Sequence, residues 1–243
     1  MGNYFAYDYA GPPFELYGAG HLFALGLVGA LAASLVWGWQ NPSDTARLRA
    51  RWLIIGAMLV IKLSWHAWNA VHGSWSVQQH LPLHICSISG WALIYILLTR
   101  DQRVYEIIFF VGIAGAGQTL LQPEAGAYGL PHFRALQTLA GHGLVVLGLV
   151  YATTIEGMRP TWGSVWRTMI ALNVYLVVIT SINYLLGSNY MYTLAKPSSA
   201  SILDFMGPWP WYLFFCEFLA LAMFLLLYLP FAIADRRRQR LPA

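Results

Sequence analysis

The feature that most constrains this chain is a series of apolar segments, each long enough to cross a lipid bilayer. A helix of about 20 residues spans the roughly 30 Å of hydrocarbon. Seven such segments can be placed: Tyr17–Trp39, Trp52–His72, Pro82–Thr99, Val104–Gln122, His132–Ile155, Ser164–Gly187 and Trp209–Ile233. Each is expected to be helical, because lipid offers backbone polar groups no partner outside their own segment and the alternating pattern of a barrel strand is absent. The composition, 58% hydrophobic and 10% charged over 243 residues, lies far from the soluble norm. The expected fold is therefore an all-α polytopic bundle of seven transmembrane helices, one integral membrane domain over residues 1–243. The third and fourth segments are short and interrupted by Gly, Ser and Gln. There is no long linker, low-complexity segment or convincing internal repeat, so an inverted-repeat transporter gains no support. The first residues, MGNYFAYDYA, lack a basic region and an early apolar core, and no signal peptide is expected.

Charge orients the bundle. Of the fourteen Lys and Arg, eleven fall in four places: Arg47, Arg49 and Arg51; Arg100 and Arg103; Arg159 and Arg167; Arg236, Arg237, Arg238 and Arg240. Alternate connections put all four on one side, which the positive-inside rule makes cytoplasmic, with the N-terminus outside and the C-terminus inside. The basic tail then anchors to anionic lipid headgroups, and nucleic acid is a poor reading of the basic pI.

The polar residues within the apolar segments are the candidates for function, since an ionisable group in hydrocarbon costs several kcal/mol unless paired or facing a wet cavity. Lys62, His66 and Asn69 share one face of the second helix. Gln118 and Gln122 stack over Gly115 and Gly112 on the fourth, and Arg134, Gln137 and Gly141 form a stripe on the fifth with His142 a quarter turn away. Glu217 on the seventh lies at a depth that could meet Lys62, and a structural ion pair is the favoured reading of the two. Lys62, His66, Asn69, Gln118, Gln137 and His142 are expected to converge on one cavity open to the outer face. Outer loops add His72, Gln78, Gln79, His80, Glu124, His132, Asn189, Tyr190, Tyr192, Lys196 and Asp204. The Trp-rich end of the last loop, GPWPWY, reads on its own as an interfacial aromatic belt.

Two cysteines, Cys86 and Cys216, both fall in helices, so neither a disulfide framework nor a metal-binding spacing is indicated and no cofactor is expected. Cys216, within CEFLALAMFLLL, reads as a small buried hydrophobe. Cys86 stands in the first turns of a helix whose N-terminus faces outward. The positive end of the helix there lowers a thiol pKa and steadies an oxyanion, which suits attack on an ester or thioester carbonyl. His84 is about 200° round the helix from Cys86 and points elsewhere. His66, His132 and His142 remain as bases that could approach from across the bundle.

LPLHICSISGW (81–91), PHFRALQTLAGHG (131–143), GSNYMYTLAKP (187–197) and LDFMGPWPWY (203–212) together resemble the YwaF-type bacterial integral membrane proteins. That group is similar to a eukaryotic multi-pass family implicated in phospholipid acyl transfer through a cysteine and a histidine in the membrane. The resemblance implies a bacterial plasma-membrane protein in which Cys86 is the nucleophile and His142, with His132 as rival, the base. The eukaryotic proteins have a different local pattern around the cysteine.

Two function classes follow. In the first, an acyltransferase takes a fatty acyl group from a phospholipid onto Cys86 and passes it to a lysolipid or another hydroxyl acceptor. His142 serves as base and then acid, Gln118, Gln137 or the amides near Cys86 as oxyanion donors, and Arg134, His132 and Lys196 as phosphate ligands. His66, Asn69, Gln122, Asn189, Tyr190 and Asp204 complete the expected substrate-binding set. In the second, the same polar cluster lines the ligand site of a non-enzymatic transporter, receptor or lipid-binding protein.

Overall fold

The computed structural model describes residues 4–123, 125–197 and 202–240, with the side chains at 202 and 238–240 outside that description. Among the described residues the chain is all-helical, with seven α-helices and no strand. They are α1 (Ala19–Ala33, prolonged by a π turn over Ser34–Gly38), α2 (Asp44–Val71), α3 (Ile85–Thr99), α4 (Gln102–Leu121), α5 (Phe133–Thr154), α6 (Trp162–Leu186) and α7 (Trp211–Arg240). All but α3 are long and apolar enough to cross a membrane.

Local chemistry sets the helix ends. The Ser43 hydroxyl accepts the Ala46 amide, so α2 starts eight residues before the expected Trp52 and carries Arg47, Arg49 and Arg51 in its first two turns. The Asp101 carboxylate accepts the amides of Arg103 (2.9 Å) and Val104 (3.2 Å) and starts α4. Arg100 and Gly187, both left-handed, end α3 and α6. The third segment begins at Ile85 instead of Pro82, because Leu81–His84 runs in a tight turn and then extended, with Leu83 N–H on Leu81 O. At 15 residues α3 rises about 22 Å, short of the hydrocarbon thickness.

α4 is the centre of the bundle and packs on α3, α5, α6 and α7, while α5 also takes α1, α2 and α3. The position explains its burial: 56% of its apolar window lies inside the protein, against 6% for α1 and 11% for α6. Leu93 and Leu97 of α3, Tyr105 and Phe110 of α4, and Val145, Leu149 and Ala152 of α5 form the dry core, with Phe224 of α7. Gly148 has no side chain where Leu93 enters α5.

This core lies in the half of the bundle that ends in arginines. There Glu156 joins Arg51 (2.6 Å) to Arg100 (2.5 Å), Arg159 meets Asp235 (2.6 Å), and Arg167 meets Glu106. At the opposite end, residues 4–18 strap across the loops: Phe5 O accepts from Trp68 Nε1, Ala6 O meets His132 Nε2, and Pro12 O accepts the Gly129 amide.

Candidate functional site

Below that opposite end the bundle is hollow. A cavity of about 820 Å³ is enclosed by α2 to α7 and reaches the loops at Gln79, Pro82, Pro123 and Pro197. Its wall changes character from side to side. Lys62 and His66 of α2, Cys86 of α3, Gln118, Thr119 and Gln122 of α4, and Arg134, Gln137 and His142 of α5 make one side polar. Leu172 and Leu176 of α6 with Leu213, Ala220, Met223 and Phe224 of α7 make the other largely apolar, with Glu217 as its charged exception.

Helical period puts the polar groups on that wall. Lys62 and His66 are one turn apart on α2, and Gln118 and Gln122 one turn apart on α4. Arg134 and Gln137 are joined by a 3.2 Å hydrogen bond from Nη1 to Oε1, and the same Nη1 donates to Thr138. The Arg134 guanidinium also lies 4.4 Å from the centre of the Trp65 ring, a cation–π contact that holds it at the cavity mouth. The amides of Gln118 and Gln122 make no hydrogen bond among the described residues, although both side chains are exposed to the cavity.

Cys86 is in the first turn of α3, with His84 as N-cap residue. Its Sγ lies 3.9 Å from Thr119 Oγ1, and 3.4 Å from where a Cβ on Gly115 would stand, so the missing side chain at 115 lets the thiol settle against α4. His142 is held by its Nδ1, 2.7 Å from Thr138 O. A carbonyl oxygen only accepts, so that nitrogen carries the proton and Nε2 keeps the lone pair of a base. Cys86 and His142 thus line one cavity, and Lys62 is within electrostatic reach of both, as it is of His66.

Other expected ligands hold the frame. Asn69, 1% exposed, donates to Trp65 O and accepts from Ser74 and from His80 Nε2 (2.9 Å), so it fixes the loop after α2 and does not face the cavity. His132, 0% exposed, caps α5 by accepting the Arg134 amide and meets Ala6 O through its other nitrogen, which leaves it no lone pair to act as a base. The Tyr190 hydroxyl donates to Val77 O and accepts the Leu81 amide, and Asn189 folds back on Leu194 and Ala195. Lys196 stands over the Tyr212 ring at 5.7 Å, and neither it nor Asp204 lines the cavity, although Pro197 and Leu203 do. Glu124 lies outside the described residues.

Two expectations change. Lys62 and Glu217 both face the cavity yet form no ion pair; Glu217 instead accepts from Asn173 Nδ2 at 2.8 Å. Cys216 also lines the cavity, its Sγ 3.9 Å from Met206 Sδ. Thr119 and Trp65 belong to the site without having been singled out. Their signal was in the period, as Thr119 lies one turn from Gly115 and Gln122, and Trp65 one turn from Lys62, on walls already identified. His80 sits at the mouth, where burial first of all, helped by His66 and Arg134, holds its imidazole below the usual 6.5. Among the described residues no group of three His, Cys, Asp or Glu is placed to hold a metal ion.

An all-α bundle with six membrane-length helices is a multi-pass membrane protein, here with a half-polar, half-apolar cavity among its helices. The chain belongs to the TMEM164 family, whose model matches residues 16–228. It matches no curated protein and no solved structure.

Proposed function

We propose that the protein is an acyltransferase of the bacterial plasma membrane, a YwaF-type member of its family, which moves a fatty acyl group from a phospholipid to a lysolipid or similar hydroxyl acceptor. One observation carries this reading: Cys86 lines a single cavity that is cationic and amide-rich on one side and apolar on the other. An amphiphile would lie across it with its phosphate near Arg134 and its acyl chain toward Leu172, Leu176 and Met223. α3 counts as the seventh span, packed as it is among α2, α4 and α5. The arginine-rich end is cytoplasmic by the positive-inside rule, so the cavity opens outward.

The chemistry needs only the chain's own groups. As the Cys86 sulfur bonds to the ester carbonyl carbon, Nε2 of His142 takes up a proton, from the thiol or from water at the cavity mouth, and the oxygen takes the negative charge beside Gln118 or Gln137. The C–O bond breaks and the leaving alkoxide takes the proton from His142. The acceptor hydroxyl then gives its proton to the same Nε2, attacks the thioester and expels the thiolate, and His142 releases the proton to the sulfur or to water.

The test is a phospholipid with an alkyne-tagged acyl chain. Wild type and Cys216→Ala should acquire a hydroxylamine-sensitive label and Cys86→Ala none, while His142→Ala should transfer about 10²- to 10⁴-fold more slowly. Absence of label on the folded wild type, or a label that survives Cys86→Ala, overturns the covalent mechanism in favour of a non-enzymatic lipid-binding or transport protein.

A further inference from the structure

Lys62 is a full charge within the bundle with no hydrogen-bond or ion-pair partner among the described residues, and Glu217, the carboxylate that shares its cavity, is occupied by Asn173. An ammonium so placed is costly unless the site uses it. Its position is built by a second residue. A Cβ on Gly90 would run into Lys62 Cε and stand 2.8 Å from Nζ, so a side chain at residue 90 would push the end of the lysine aside. Gly90 is one helical turn from Cys86, on the same stripe of α3. The gap in the helix therefore seats the charge against the face that carries the thiol.

We infer that Lys62 is the positioning residue that holds Cys86 as a thiolate in the resting protein, with Gly90 as the slot that admits it. The thiol proton leaves to water through the mouth of the cavity, and Lys62 keeps its own. The other titratable groups facing this cavity are His80 and His84 before α3, His66 of α2, Arg134 and His142 of α5, Tyr192 of the last loop, and Tyr212, Cys216 and Glu217 of α7. The two cationic side chains, Lys62 and Arg134, favour the thiolate, Glu217 opposes it, and Lys62 is the one against the Cys86 stripe. Association with a lysine lowers thiol pKa values generally, and the thiolate is the form that reacts. The inference names what activates the nucleophile of the proposed acyl transfer, but it is read without substrate and stands or fails separately.

The experiment is the pH profile of Cys86 alkylation by iodoacetamide in the Cys216→Ser protein in nanodiscs, followed by peptide mass spectrometry. The midpoint should lie a unit or more below the ordinary thiol value of about 8.5. Lys62→Met should move it up and slow labelling at pH 7 by about tenfold or more, Lys62→Arg should restore it, and Gly90→Ala, which keeps the lysine but closes its slot, should shift it part of the way. Size-exclusion profiles check folding, and Gly90→Ala serves as the readout if Lys62→Met does not fold. A midpoint at or above that of an ordinary thiol, or one that neither Lys62→Met nor Gly90→Ala moves, overturns the inference. A lowered, lysine-dependent midpoint in a protein that takes no acyl label would leave the thiolate standing and remove the transferase.

Discussion

Glu156 ties three parts of the bundle together, and replacing it by glutamine measures that latch. Its side chain is 3% exposed. Oε1 accepts from Arg51 Nε (3.0 Å), Arg51 Nη2 (2.6 Å) and the Tyr151 hydroxyl (2.7 Å), and Oε2 meets Arg100 Nη2 at 2.5 Å. Glutamine keeps the shape but loses the charge and turns an NH2 toward a donor, whichever way it faces. If the NH2 faces Arg100, 57% exposed, that guanidinium swings into water at little cost. The cost is dominated by Arg51, 16% exposed, which loses its counter-charge. Breaking a fully buried pair costs about 3–5 kcal/mol, and the partial exposure of Arg51 puts Glu156→Gln near the lower end, about 3 kcal/mol. Tyr151→Phe removes one charge-assisted hydrogen bond, about 1.5 kcal/mol, and Arg100→Ala an exposed pair, under about 1 kcal/mol. Burial alone would raise the Glu156 pKa, but the hydrogen bonds from Tyr151 and Arg51 and the charges of Arg51 and Arg100 hold it below 4.5. The contribution is therefore complete above pH 4.5 and is lost as pH falls through the lowered native value. Thermal unfolding in detergent at pH 7, with a double-mutant cycle for Arg51 and Glu156, reads these values. A loss below about 1 kcal/mol for Glu156→Gln, or an equal loss for Arg100→Ala, would refute the latch.

Two further outcomes follow from the mouth of the cavity. Arg134→Gln should raise KM for an anionic phospholipid roughly tenfold or more with kcat little changed, as expected for a lost charge-assisted contact; a fall in kcat alone would argue against phosphate binding there. His80, whose Nδ1 accepts the Ser76 amide and whose Nε2 donates to Asn69, is neutral in the fold. Because its native pKa is depressed, its contribution is full above pH 6.5 and is lost as pH falls through the native value. Protection factors at residues 74–84, corrected for the intrinsic exchange rate, should therefore fall between pH 7 and pH 5, and unchanged protection there would contradict the assignment.

Helix number and the grouping of the arginines were legible in the sequence because they rest on one-dimensional constraints: hydrocarbon thickness demands a length of apolar chain, and alternate connections must share a side. The polar stripes were legible for a similar reason, since a period of 3.6 puts Lys62 with His66, and Gln118 with Gln122, on one wall whatever the neighbours are. What each polar group does was a tertiary matter. Asn69, His132 and Tyr190 have the residue types of ligands, but the loop after α2 supplies partners for Asn69, and distant segments supply them for His132 and Tyr190, which turns all three into caps and struts. Lys62 and Glu217 have the signs of an ion pair, but Asn173 takes the carboxylate and the lysine packs beside Gly90 of α3. The start of α3 at Ile85 was also decided in three dimensions. Tyr175 of α6 donates to Leu83 O at 2.5 Å, and the Met191 amide donates to His84 Nδ1. Those bonds satisfy in extended form a stretch that apolarity alone had assigned to a helix, because hydropathy records the wish to leave water and not which partners a backbone finds when it does.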